Sequence, residues 1–131
     1  MNLAELRRWQ RYAFERFCRK NHRAIATALG FGAVKYSHGP FFNRSTSKAD
    51  PGYQIDLVFD RADRILTLCE IKFSDAPASV AVGREFQAKL GLFAPRHKRR
   101  IESVLIAAAG TTKELRDGGY FDRILRLDEI V

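Results

Sequence analysis

Two apolar segments joined by a short polar run constrain this chain more than anything else in it. The first is Gln54-Ile55-Asp56-Leu57-Val58-Phe59-Asp60 and the second is Leu66-Thr67-Leu68-Cys69-Glu70-Ile71-Lys72-Phe73. Each is rich in apolar and β-branched residues and alternates with a period of two, so each reads as a strand. The intervening Arg61-Ala62-Asp63-Arg64 is polar and short enough for a hairpin loop. A loop symmetric about Asp63 sets Asp56 directly opposite Glu70, where Cβ atoms lie about 4.5–5.5 Å apart on one face. Lys72, two residues beyond Glu70, falls on that same face. Local geometry thus gathers Asp56, Glu70 and Lys72, and a slip of one residue would scatter them.

The neighbours of these three residues say whether the cluster is more than surface charge. Leu68 shares the face of Glu70 and Val58 that of Asp56, while Ile55, Leu57, Phe59, Cys69, Ile71 and Phe73 are expected on the opposite face. Both faces are partly apolar, so the sheet is expected to be covered and the charges to lie at one end. On an open sheet Glu70 and Lys72 would be ordinary charge partners worth roughly 0.2–1 kcal/mol. Under a cover, a carboxylate pair is unfavourable unless a cation or donors compensate it.

The 131 residues fit one domain, residues 1–131, and the 46% hydrophobic and 29% charged composition is that of a globular chain with a real core. No run of about 18 apolar residues marks a membrane span, and the start lacks signal-peptide form. Cys18 and Cys69 have no CxxC spacing and lie in apolar patterns, so they read as reduced core residues of a cytoplasmic protein. The formal net charge of +8 favours a polyanionic partner. Nucleic acid comes first, and no basic amphipathic helix supports a membrane surface.

Along the chain, residues 3–29 read as one long helix with Leu3, Leu6, Gln10, Ala13, Phe14, Phe17, Ile25 and Ala28 on its apolar stripe. Asn21 is a weak point within it, and Gly30 and Gly32 stop it. Trp9 reads as a partly buried anchor. A first strand over residues 33–37 is followed by a loop over residues 38–52, which holds Gly39-Pro40 and a polar run. After the hairpin, residues 79–93 form a second helix with Val82, Phe86, Leu90 and Phe93 inward. Residues 102–109 form a strand buried on both faces, residues 111–119 a turn or short helix, and residues 124–131 a last strand or a strand leading into a terminal turn. The order is α-β-β-β-α-β-β: an α/β chain with a central mixed sheet flanked by helices.

Asp56 and Glu70 offer hard carboxylate oxygens, which suit Mg²⁺ or Mn²⁺ rather than Zn²⁺. The carbonyl of Ile71 lies between Glu70 and Lys72 as a further oxygen. An ion there polarises a phosphoryl oxygen, and Lys72 orients water or neutralises the developing charge. Phosphodiester hydrolysis is the reaction these parts fit. The densest basic run, Arg96-His97-Lys98-Arg99-Arg100, reads either as a nucleic-acid backbone contact through Arg96, Lys98, Arg99 and Arg100 or as a solvated loop. Arg44 and Lys48 precede Asp56 in the long loop, within reach of a bound strand. His22, His38 and His97 lack ligand spacing.

These residues resemble the PD-(D/E)xK nuclease superfamily, the restriction-endonuclease-like fold with an αβββαβ core. The resemblance places the family's first acid at Asp56 and its (D/E)xK at Glu70-Ile71-Lys72, with Ile55 where the motif proline would stand. It implies a metal-assisted DNA endonuclease, DNA ahead of RNA, with Glu15 as an additional acid on the first helix. It also places the second helix, with Gln87 and Lys89, near the site as phosphate contacts. Ala13-Phe14-Glu15-Arg16-Phe17-Cys18, the Arg44-Ser45 region and Cys69-Glu70-Ile71-Lys72-Phe73-Ser74 are similar to the C-terminal nuclease-like domain of prokaryotic AAA-type ATPases. No G-x-x-x-x-G-K-[ST] is present, so ATP hydrolysis by that route is excluded. Two other expectations stand beside the nuclease. One is a module of the same fold that binds nucleic acid without cutting it. The other is an interaction domain that docks on an AAA-type ATPase or on itself as a homodimer.

Overall fold

The computed structural model describes residues 2–131. Helix α1 (Leu3–Lys20) starts at a capping box, in which Asn2 accepts from the Glu5 N–H and Glu5 reaches back to the Asn2 N–H. It ends at Asn21, whose N–H bonds the carbonyls of Phe17 and Cys18 and whose side-chain amide takes the Phe17 carbonyl at 2.8 Å. Helix α2 (His22–Ala28) follows, so the single long helix expected over residues 3–29 is two. The competition between an asparagine side chain and the helix backbone explains the break. Gly30 (φ 89) ends α2, with its own N–H to Thr27 and the Phe31 N–H to Ala26, as its left-handed backbone allows.

Five strands make one mixed sheet in chain order: β1 (Tyr36–Asn43), β2 (Tyr53–Arg61), β3 (Ile65–Lys72), β4 (Arg100–Ala107) and β5 (Arg123–Arg126). The first three are antiparallel, and β4 and β5 run parallel to β3. Helix α3 (Val80–Phe93) is the crossover between β3 and β4, and the short α4 (Lys113–Asp117) precedes β5. An αβββαβ order is therefore present, with the first α split in two. Strand β1 is longer than expected and takes in Gly39-Pro40, which shortens the predicted loop to residues 44–52. A proline is tolerated there because β1 is an edge strand. The last strand leads into a terminal 3₁₀ turn, Leu127–Glu129, the second of the two forms expected for residues 124–131.

The β2–β3 hairpin closes through residues 62–64, with Arg64 in the left-handed region (φ 69). Its register pairs Asp60 with Leu66, Val58 with Leu68 and Leu57 with Cys69, so the turn is centred on Asp63 as expected. On one face Phe14, Cys18 and Ile25 pack on Leu57, Phe59, Cys69, Ile71, Val104 and Ile106. On the other, Phe86 and Phe93 of α3 pack on Ile55, Leu66 and Leu68. Ile55 is thus a correction, since it lies with α3 rather than with Leu57. The cause is a bulge: between Gly39↔Val58 and Phe41↔Ile55 the register shifts, so Asp56 and Leu57 together face Pro40.

The first two turns of α1 run clear of the sheet. Leu3, Leu6 and Trp9 are exposed, against the expectation that the two leucines join the buried stripe and Trp9 is partly buried, whereas Phe14, Phe17, Ile25 and Ala28 of that stripe do pack in the core; Tyr12 is exposed as well. No helix among the described residues is long and apolar enough to cross a membrane.

Candidate active site

At the far end of the β2–β3 hairpin the two strands part. The paired ladder ends at Leu57↔Cys69. One residue further on, the Ile71 N–H donates to Asp56 Oδ2 at 2.8 Å instead of to a strand carbonyl. The β2 bulge and this side-chain bond together open a cleft of about 680 Å³ over Asp56, Glu70, Ile71 and Lys72. Backbone alternation puts the Ile71 carbonyl on the same strand edge as its N–H, beyond the last paired residue.

Asp56 and Glu70 are only 7% and 3% exposed. Asp56 is held by the Ile71 N–H and by Gln54, whose Nε2 donates to Oδ1 at 3.2 Å. Glu70 is held by Lys89 of α3, with Nζ to Oε2 at 2.9 Å. Burial, and after it the Asp56 carboxylate alongside, push Glu70 up to about 8 against the pull of Lys89. Two buried carboxylates share one paired lysine, so a proton remains on Glu70 until another positive charge arrives.

Lys72 lines the same cleft, two residues from Glu70, and forms no ion pair among the described residues. Glu15 of α1 also lines it, next to Arg19 at 3.9 Å. Its carboxyl is raised by burial and by Asp56, and lowered by Arg19, Lys72 and Arg11. The fold therefore brings six of the expected residues together: Asp56, Glu70, Ile71, Lys72, Glu15 and Lys89. Arg8, Arg11 and Tyr12 of α1 complete the rim. Sequence reasoning missed these three and Gln54, although the i, i+3, i+7 spacing of Arg8, Arg11 and Glu15 does mark one helix face.

The donor set fits a hard divalent cation. Among the described residues no group of three or more His, Cys, Asp or Glu side chains converges. Two carboxylates and the Ile71 carbonyl leave the other positions to water or substrate oxygens, as Mg²⁺ prefers, and offer none of the nitrogen or sulfur ligands of zinc sites.

The other expected nucleic-acid contacts lie elsewhere. Lys89 is in the cleft, but as the ion-pair partner of Glu70. Gln87 donates to the Tyr120 carbonyl at 2.7 Å, away from the acids. Arg100 pairs with Ile65, at the end of the sheet opposite Glu70↔Leu105. Five residues of strand make that separation about 17 Å. Arg99 is committed to Asp60 at 2.7 Å and to the carbonyls of Arg61 and Arg64. Arg96 ties the β1–β2 loop through Asp50 at 3.0 Å and through Asn43. Lys98, Arg44 and Lys48 are exposed outside the cleft. Arg99 thus braces the β2–β3 turn at the other end of the sheet and Arg96 braces the β1–β2 loop, placements set by tertiary register and invisible in local sequence.

No family model matches the chain, and no curated protein matches it in sequence. A solved structure described as an EndoMS–dsDNA2 complex matches with 12% identity and a TM-score of 0.43. The match covers 79% of this chain and 42% of that one, under half of its length. A likeness this distant carries no statement about reaction or partner.

Proposed function

We propose that the chain is a metal-dependent phosphodiesterase acting on nucleic acid, DNA ahead of RNA. The observation that supports this reading best is the buried Asp56–Glu70 pair beside Lys72, in a cleft rimmed by Arg8 and Arg11. Such a pair is unfavourable in a covered sheet and needs a function to account for it. Asp56, Glu70 and the Ile71 carbonyl would hold Mg²⁺ or Mn²⁺, which supplies electrophilic stabilisation of charge on a phosphoryl oxygen. Lys72 donates to the attacking water or to the charge developing on phosphate. Arg8 and Arg11 hold the flanking phosphates as paired donors. Glu15 adds a carboxylate at the edge of the cleft.

The test is incubation with supercoiled plasmid and with linear single-stranded DNA in Mg²⁺, Mn²⁺ or EDTA, beside Lys72→Ala and Asp56→Asn proteins of unchanged circular dichroism. Nicking that needs metal and is lost in both variants is expected. Cleavage that survives in both would refute the assignment. A second reading, a binding module that does not cut, is favoured by one feature: Lys89 Nζ already occupies Glu70 Oε2 at 2.9 Å, where a metal would bind. Salt-dependent binding with no cleavage, alone or with an AAA-type ATPase partner added, would select it. Oligomers without affinity for nucleic acid would select a docking role in a homodimer.

A further inference from the structure

Helix α1 presents a second face that meets the acidic cleft at Tyr12. Trp9 and Tyr12 stand 61% and 57% exposed. Helical spacing sets Arg16 and Lys20 on the same outward stripe. The Arg16 guanidinium lies 5.8 Å from the centre of the Tyr12 ring. Beyond Tyr12 is a shallow pocket of about 470 Å³ lined by Tyr12, Arg16, Arg19, Lys20, His22 and His38, with no acidic side chain in its wall. The two imidazoles stack with centroids 3.7 Å apart, and His22 Nδ1 meets the Tyr36 hydroxyl at 2.7 Å, which fixes the pair. Tyr12 lines both this pocket and the acidic cleft, so the two adjoin along one helix.

Exposed rings interleaved with cations fit one kind of partner better than others. An unpaired nucleic-acid strand offers phosphates to arginine and lysine and free base faces to tyrosine and tryptophan. A duplex keeps its bases stacked on one another and offers those rings nothing. From Tyr12 to Lys20 the helix rises about 12 Å, so the rings and the cations lie along one continuous track. We infer that α1 guides an unpaired strand into the acidic cleft, with Trp9 and Tyr12 stacking on bases and Arg16, Arg19 and Lys20 holding phosphates. The inference rests on the nucleic-acid part of the function proposed above, and does not need cleavage.

Trp9 is the only tryptophan of the chain and reports on its own surroundings. In EDTA, where metal-dependent cutting is silent, an oligothymidine strand should quench its fluorescence, and a duplex of equal length should quench it far less. Arg16→Glu with Lys20→Glu should weaken oligothymidine binding at least tenfold. Loss of two phosphate contacts should make the slope of log affinity against log salt shallower by about 1.4. Lys98→Glu with Arg100→Glu, at the other end of the sheet, should bind as the parent does. Equal quenching by strand and duplex would overturn the inference. So would a loss confined to the Lys98/Arg100 variant, or a blue shift on phosphatidylserine vesicles with no response to the oligonucleotide. A protein that binds oligothymidine in this way and never cuts DNA with Mn²⁺ would leave this inference standing and remove the nuclease reading alone.

Discussion

Replacing Glu70 with glutamine should make the metal-free protein more stable in alkali, and the gain should track pH. Glu70 titrates near 8 in the folded protein, against an ordinary 4.5. Between those values the folded state holds a proton that the unfolded chain has released, so stability falls as pH rises. The stability this proton gives is fully present below 4.5 and gone once pH has passed the folded value of about 8. At about 1.36 kcal/mol per pH unit, the whole loss is on the order of 4–5 kcal/mol. Glu70→Gln keeps the shape and an oxygen for Lys89 but has nothing to titrate. Urea unfolding of both proteins in EDTA, followed from about pH 5 to about pH 9, reads the difference as a function of pH. Parent stability should drop relative to Glu70→Gln across the window by several kcal/mol. Adding Mn²⁺ should flatten the parent curve and leave the variant unmoved, because the cation binds the ionised carboxylate. A difference that stays constant with pH would refute the burial argument for Glu70, whatever the protein cuts.

Three further outcomes follow from the packing and charge. Lys89→Met takes from Glu70 its only ion-pair partner among the described residues, so the pH at which metal-free stability is lost should move above the parent's, as read in the same unfolding series. Gly83→Ala would put a methyl group 2.6 Å from the Tyr120 ring and 2.9 Å from Leu115. It should lower stability by about 1–3 kcal/mol in a thermal melt, since α3 cannot shift without disturbing α4. Phe86→Ala removes a fully buried ring from the α3 face of the sheet and should cost about 3–5 kcal/mol by urea unfolding.

Much of the site was legible because it lies within one hairpin. A symmetric loop about Asp63 fixes the register as far as Leu57↔Cys69, one pair short of the expected Asp56 opposite Glu70, and Asp56, Glu70 and Lys72 still line one cleft. What local pattern missed came from three physical sources. A bulge opposite Pro40 moved Ile55 across the sheet, and period-two reasoning has no means to count an extra residue. Gly39-Pro40 read as a breaker, yet an edge strand with one open side accepts a residue without an N–H. The partners of the acids depend on helix docking: Lys89 arrives with the crossover, and Arg8 and Arg11 with α1. The same tertiary register set Arg99 and Arg100 at the opposite end of the sheet from the acids, a placement the basic run itself does not signal.

The crossover also orders events in time as the chain folds. Asp56 and Glu70 come from consecutive strands joined by a tight turn, a local pairing that closes early. While the hairpin stands alone, both carboxylates remain in water and repel each other little. Lys89 belongs to α3, which is fixed only when the parallel β3–β4 pairing forms across a long stretch of chain. The helix that drives water from Glu70 is therefore the one that delivers its ammonium group. Desolvation of Glu70 and the arrival of its ion-pair partner thus fall in one late step.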